Sequence, residues 1–215
     1  MAYCTFTDVN LHTNITSSDV ANADITSLIA EATAQVNSDI NIKVIRERVT
    51  SIDRTRENQI NGTNTIYYTQ NWSGVYLGDL DDDGDVDTSD VIVRQVDSNG
   101  TETTLTVSAV DDDDMKITLS SAPSSGVELY IDYRYSRARQ GTPEKNVKLA
   151  TIFLTAAYCY AKINIGKAPS QAFGSSRLTR HMKSYNHFME RYKEVLDDIN
   201  QLGGVVSSGE SNYKI

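Results

Sequence analysis

The chain has 215 residues, 39% hydrophobic and 23% charged, enough apolar content for a real core in one large domain or two small ones. Its 29 acidic and 20 basic residues give a formal net charge of -9, the wrong sign for a general nucleic-acid binder. The acidity is local: seven aspartates lie in residues 79–90 and four in residues 111–114, and without them 18 acidic residues nearly balance the 20 basic ones.

The first periodic segment is 24–40, where Ile25, Leu28, Ile29, Ala32, Val36 and Ile40 share one helical face. Asp24 is placed to cap it, a carboxylate beside the free amides of the first turn. Just upstream, TSSDV reads as a short turn capped by Ser17 or Ser18. After Asn41 the period changes. KVIRERVTSID alternates and is rich in β-branched residues, NQINGTN is a polar turn, and TIYYTQ is a second strand. Beyond the Asp-rich loop, the β-rich runs of VIVRQVDSNGTETTLTVSAV flank Asp97-Ser98-Asn99-Gly100, a hairpin signal. MKITLSSAP and GVELYIDYRYS complete a set of five or six strands.

Helices return at Thr142-Pro143-Glu144, which supplies an N-cap, a proline at the first helical position and an acid favourable to the dipole. This helix is predicted to reach Ile165 and stop at Gly166, apolar around most of its circumference and therefore buried. APSQAFGSSR is a loop. The last helix, about 176–202, spaces Leu178, Met182, Tyr185, Met189, Tyr192, Leu196 and Ile199 by alternating fours and threes, the seam of a helix lying along others. The predicted fold is α+β: a three-helix core from residues 1–42 and 138–202, with an antiparallel β-domain of residues 43–137 inserted between the first and second long helices. Residues 203–215 form a flexible tail after Gly203-Gly204.

Other features narrow the class. MAYCTFTDVN has no charged segment followed by an apolar run, and the most apolar stretch, 149–161, is about half a membrane span. Cys4 and Cys159, far apart in sequence, predict two buried thiols. A soluble intracellular protein is expected.

The sharpest motif is the twelve-residue loop DLDDDGDVDTSD. Asp79, Asp81, Asp83, Asp85, Asp87 and Asp90 fall at positions 1, 3, 5, 7, 9 and 12, with Gly84 at position 6. That is the oxygen-ligand spacing of an EF-hand loop, in which position 7 donates its backbone carbonyl and the glycine permits the sharp turn. Calcium prefers such hard oxygen donors, so a structural calcium ion is expected; the alternative is a solvated acidic loop. With Gly78 in front, the loop resembles that of dockerin modules. Dockerins pair two such loops with helices, whereas this one leads into Val91-Ile92-Val93, a strand, so no cohesin-binding role is implied. The 111–114 aspartates lack ligand spacing and read as a charged turn.

Catalytic constellations are absent from the pattern. His12, His181 and His187 lack zinc-ligand spacing, Gly166-Lys167 lacks the rest of a phosphate loop, and no GxSxG elbow occurs. A non-enzymatic protein is expected. Arg177, Arg180, His181 and Lys183, with Arg191 and Lys193 further on and Arg137 and Arg139 before the second long helix, form basic stretches that read as solvated faces or as a contact for an acidic partner.

The order of elements resembles a known family. ITSSDVANADITSLIAEATAQVNSDI is similar to the opening helix of head–tail adaptor (connector) proteins of tailed phages and archaeal tailed viruses, and TPEKNVKLATIFLTAAYCYAKINIG to their second long helix, with a third helix near the C-terminus. Some relatives carry a β-rich insertion ending in a strand like YIDYRYS; the calcium-type loop departs from the simplest adaptors. The resemblance implies a virion protein at the head–tail junction, in the host cytoplasm before assembly. It implies a homo-oligomeric ring of about twelve copies beneath the portal protein. The ring would extend the channel for genomic DNA without sequence-specific binding and offer a platform for the next connector or tail protein, with no membrane involved. It nominates Tyr185, Met189, Tyr192, Tyr213 and Ile215 for portal binding. A tail-completion or terminator protein is the alternative within virion biology, and a calcium-dependent carbohydrate- or protein-binding module the alternative outside it.

Overall fold

A computed structural model describes residues 2–13, 15–166 and 176–201, the side chains of 164–166 and 176–181 excepted. Leu178, the 168–177 loop and the tail with Tyr213 and Ile215 therefore lie outside the described side chains. The described residues form an α+β fold, with four helices and antiparallel sheets.

The helices are α1 (Phe6–Thr13), α2 (Asn22–Ile40), α3 (Lys145–Gly166) and α4 (Ser176–Gln201). Helix α1 was not expected. The Thr5 N–H donates to Asp8 Oδ2 at 2.8 Å and the Asp8 N–H to Thr5 Oγ1 at 3.3 Å, a reciprocal cap on its first turn. Helix α2 begins two residues before Asp24, so Asp24 does not cap it; the carboxylate lies in the first turn and pairs with Lys162 Nζ at 2.8 Å. The preceding turn closes on Thr16 and Asp19 rather than on Ser17 or Ser18: the Thr16 hydroxyl donates to Asp19 Oδ2 at 3.0 Å. Pro143 also precedes its helix, which starts at Lys145, and the Arg139 N–H donates to Glu144 Oε1 at 3.2 Å.

The chain divides into two compact units, Asn37–Glu144 on the one hand and Ala2–Val36 with the chain from Lys145 on the other. In the helical unit Ile25, Ile29, Ala32 and Val36 of α2 are buried, as their spacing requires. Helix α3 is buried on nearly every side, from Ala150 through Ala157. Helix α4 buries Tyr192 and Ile199 of its heptad seam but fills the rest of that face with Phe188 and Val195. Phe188, Tyr192, Val195 and Ile199 are buried, whereas Tyr185, Met189 and Leu196 are half-buried and Met182 is exposed. Phe188 stacks on Tyr160 with ring centroids 5.7 Å apart and lies 6.2 Å from Phe153. Tyr192 is thereby corrected as a partner-binding residue: at 4% exposure its ring belongs to the core of its own chain.

Cys4 and Cys159 are both free and buried in this unit. Burial pushes their thiols up to about 12 and about 11, far from the thiolate that reacts. Ellman's reagent in neutral buffer should leave both untouched in the folded protein and titrate both in denaturant. Rapid modification of either thiol in the native chain would contradict its placement.

The β unit has eight strands, not five or six: β1 (Ile42–Arg48), β2 (Ile66–Tyr68), β3 (Tyr76–Gly78), β4 (Ile92–Val96), β5 (Glu102–Leu105), β6 (Val107–Asp111), β7 (Lys116–Leu119) and β8 (Glu128–Ser136). Every pairing is antiparallel. One sheet runs β1-β8-β4-β5 with β3 also on β8, and a second runs β2-β7-β6. Alternation along β8 sends Leu129, Ile131 and Tyr133 inward, where they meet Leu77, Val93, Tyr67, Ile117 and Leu119 from both sheets. The β4–β5 hairpin turns at Asp97–Gly100 as its sequence requires: Gly100 sits at φ +80° and Asp97 Oδ1 accepts from the Asn99 and Thr101 amides at 2.8 Å. Strand β1 carries a bulge, with Ile45 and Arg46 opposite Asp132 and Arg46 at φ +56°. Asp111 ends β6 and Asp112–Asp114 enter the β6–β7 turn, neutralised by Lys116 on Asp111 and by Arg139 on Asp112 and Asp113 at 2.9–3.0 Å.

Candidate metal centre

The Asp-rich loop leaves the sheet and returns to nearly the same place. Gly78 at the end of β3 stands opposite Arg134, and Ile92 at the start of β4 opposite Asp132. Strands β3 and β4 thus lie along one edge of β8 as a single interrupted line. Residues 79–91 are an excursion from it, closing a gap of two strand positions, about 7 Å. No helix flanks the loop, unlike an EF-hand; only a 3-10 turn, Thr88–Asp90, closes it.

Inside the excursion the carboxylates fold toward backbone amides. Asp79 is fully buried. Its Oδ2 accepts from the Gly84 N–H at 2.6 Å and from Asn37 Nδ2 at 2.8 Å, and its Oδ1 from the Asp82 N–H at 2.6 Å. Gly84 reaches that position at φ +83°, in the left-handed region that its place at the sixth position requires. Asp81 Oδ1 accepts from the Asp83 amide at 3.3 Å, and Asp83 Oδ1 from the Asp85 amide at 2.9 Å. Asp90, also buried, ties the two ends together: Oδ1 accepts from the Leu80 N–H and Oδ2 from the Asp87 N–H at 2.7 Å. Asp87 caps the 3-10 turn through the Ser89 amide and hydroxyl.

Asp79, Asp81 and Asp83 each bring a carboxylate oxygen within 4.8 Å of the others and could together hold a metal ion. Among the described residues no other set of His, Cys, Asp and Glu converges in this way. Asp85, Asp87 and Asp90 are not part of that triad; Asp87 and Asp90 instead shape the loop, and an EF-type seventh position needs only its backbone carbonyl. Like charges at this spacing repel by roughly 3 kcal/mol per pair at an effective dielectric near 20. Burial pushes the Asp79 carboxyl up, and raises Asp90 to about 6, against the pull of the amides that both accept from. A cation among them would relieve both costs. The donors are all hard carboxylate oxygens, without histidine or cysteine.

Four residues outside the loop hold it, and none was expected. Asn37 reaches Asp79 Oδ2, Asn41 Nδ2 donates to the Asp79 carbonyl at 3.3 Å, and Gln140 Oε1 accepts from the Asp79 N–H at 2.7 Å. Arg134 pairs with Asp82 Oδ1 at 2.5 Å and donates to the Asp79 carbonyl at 3.0 Å. Gly78 is needed here for room, since a Cβ would stand 2.7 Å from Asn41 Oδ1. No spacing rule connects Asn37 or Gln140 with Asp79, which are 42 and 61 residues away.

Of the basic stretches, Arg177, Arg180 and His181 lie outside the described side chains. Arg139 is committed to the β6–β7 turn, and Arg191 pairs with Glu194 at 2.6 Å and lies over the Phe153 ring. Among the described residues no helix is long and apolar enough to cross a membrane. The chain matches no protein-family model, no curated protein and no solved structure.

Proposed function

We propose that the protein is a structural, non-catalytic component of a tailed virion, a head–tail adaptor whose β unit is stiffened by calcium in the Asp79 loop. The observation that carries this reading is the order of elements. An opening long helix, a β-rich stretch and two further long helices follow one another as in the family the sequence resembles, and segments from both ends of the chain share one helical unit. In this role the copies form a ring of about twelve against the portal. Its far side receives the next connector or tail protein, and DNA passes through the lumen. Asp79, Asp81 and Asp83 hold the ion with a backbone oxygen at Asp85, and Asp90 keeps the loop closed. The ion supplies charge neutralisation and order, not chemistry on a substrate. In this role half-buried Tyr185 and Met189 meet the portal, as the resemblance implies also for Tyr213 and Ile215.

Cryo-electron microscopy of the purified particle tests this directly. The expected result is a ring of about a dozen chains between portal and tail. Density on the outer surface, or none in the particle, would overturn it. The second reading, a calcium-dependent binding module, is favoured by the loop's position in the β unit; such a module loses its ligand on chelation and keeps it when the C-terminal segment is removed.

A further inference from the structure

The Asp79 loop is gripped by the two stretches through which the chain enters and leaves the β unit. The entering stretch is the last turn of α2 and the residue after it, with Asn37 on the Asp79 carboxylate and Asn41 on its carbonyl. The leaving stretch is 137–144, where Gln140, fully buried, accepts from the Asp79 amide through Oε1 and donates to Asn41 Oδ1 through Nε2 at 2.7 Å. A Cβ on Gly141 would stand 3.3 Å from Val86 Cβ, so the loop also packs closely on the leaving stretch. All of these residues belong to the unit Asn37–Glu144. Around one buried aspartate, the backbone amide, the carbonyl and the carboxylate each answer to a different side chain. Asn41 and Gln140 bond to each other as well, so the network closes on itself.

We propose that the loop is a metal-operated latch: an ion at Asp79, Asp81 and Asp83 fixes Asp79 in place and, through Asn37, Asn41 and Gln140, locks the entering and leaving stretches of the β unit to each other. This rests on the calcium reading above. Without the ion, repulsion among the carboxylates loosens the loop from Asp79 onward, and the side chains anchored on Asp79 loosen with it. With the ion, the position of Asp79 is set by coordination, and three of its backbone and side-chain groups become fixed points for both stretches. The latch uses no residue of the triad other than Asp79 to reach them. Coupling is therefore removable without removing a ligand.

Hydrogen exchange read by mass spectrometry on the full chain, in calcium and in chelator, tests the latch. Calorimetry on the same samples reports whether calcium binds. Calcium should slow exchange about tenfold or more in peptides covering 37–42 and 137–144, including the Asn41 amide on Asn37 O and the Glu144 amide on Arg139 O. It should leave β2, the far strand of the second sheet, unchanged. Gln140→Ala should still bind calcium but lose the added protection at 137–144, and Asn41→Ala should lose it at 37–42. Calcium binding with protection confined to 79–91 in the wild type would overturn the latch and leave the calcium reading standing. No heat of binding and no protection anywhere would overturn both.

Discussion

Calcium added to the chelated protein raises its unfolding temperature by roughly 5–10 °C when the free ion exceeds its dissociation constant about a hundredfold. Binding to the folded state alone then contributes ~2.7 kcal/mol, and a chain of this size gains ~2–4 °C per kcal/mol. Asp79→Ala and Asp83→Ala should each abolish the shift, because each removes one of the three converging carboxylates. The two differ in chelator. Asp79→Ala strands the Asp82 and Gly84 amides and Asn37 Nδ2 in a buried place, so it lowers stability even without calcium. Asp83 is exposed and accepts from the Asp85 amide, which water can serve equally well. Its replacement should change little in chelator and remove the calcium response, making it the cleaner variant. Differential scanning calorimetry reads both effects. A wild-type protein indifferent to calcium would make the loop no more than an acidic surface.

The elements with strong periodicity were legible because one physical rule governs each. The buried face of α2 follows from Ile25, Ile29, Ala32 and Val36, and the β4–β5 turn from residues whose left-handed glycine and Asx bonds need no tertiary help. What failed was short or double-sided. Strand β3 has three residues, too few to alternate, and exists because β8 offers it an edge. The split between β5 and β6 falls at Thr106 inside an unbroken β-rich run, where one residue carries the chain from the first sheet to the second. Helix α1 did have a signal, Thr5-x-x-Asp8 before Val9, but it is eight residues long and buries little else.

The metal loop shows the same division. Ligand spacing and the glycine at the sixth position are local, and the structure places Asp79, Asp81, Asp83 and Gly84 as the spacing implies. The supporting shell is not local. Asn37, Asn41, Arg134 and Gln140 are ordinary polar residues in sequence and become specific only when sheet registry brings Gly78 opposite Arg134. Asp90 was read as a ligand from its position; its carboxylate closes the loop through the Leu80 and Asp87 amides and lies outside the converging triad. Spacing identifies donors; it does not say which of them converge on one point.

Phe188→Ala should destabilise the protein by about 3–5 kcal/mol, the cost of emptying a buried aromatic site, while Met189→Ala costs about 1 kcal/mol or less. The heptad reading of α4 puts Met189 on the seam and Phe188 off it, so the pair decides which of the two neighbours joins Tyr192 and Ile199 on the buried face. Leucine and methionine at fours and threes made the seam look continuous, yet the aromatic contacts with Phe153 and Tyr160 bring Phe188 inward in place of Met189. Urea unfolding of the two variants, read as a change in midpoint at constant slope, measures the difference. The same comparison bears on the adaptor reading. If Tyr185 and Met189 face a portal, their alanine variants should lose attachment while keeping the wild-type midpoint. Phe188→Ala, and Tyr192→Ala beside it, should lose attachment only in step with lost folding. Equal destabilisation by Met189→Ala and Phe188→Ala would restore the heptad seam, withdraw Met189 from the partner surface and leave Tyr185 as the one half-buried aromatic nominated there.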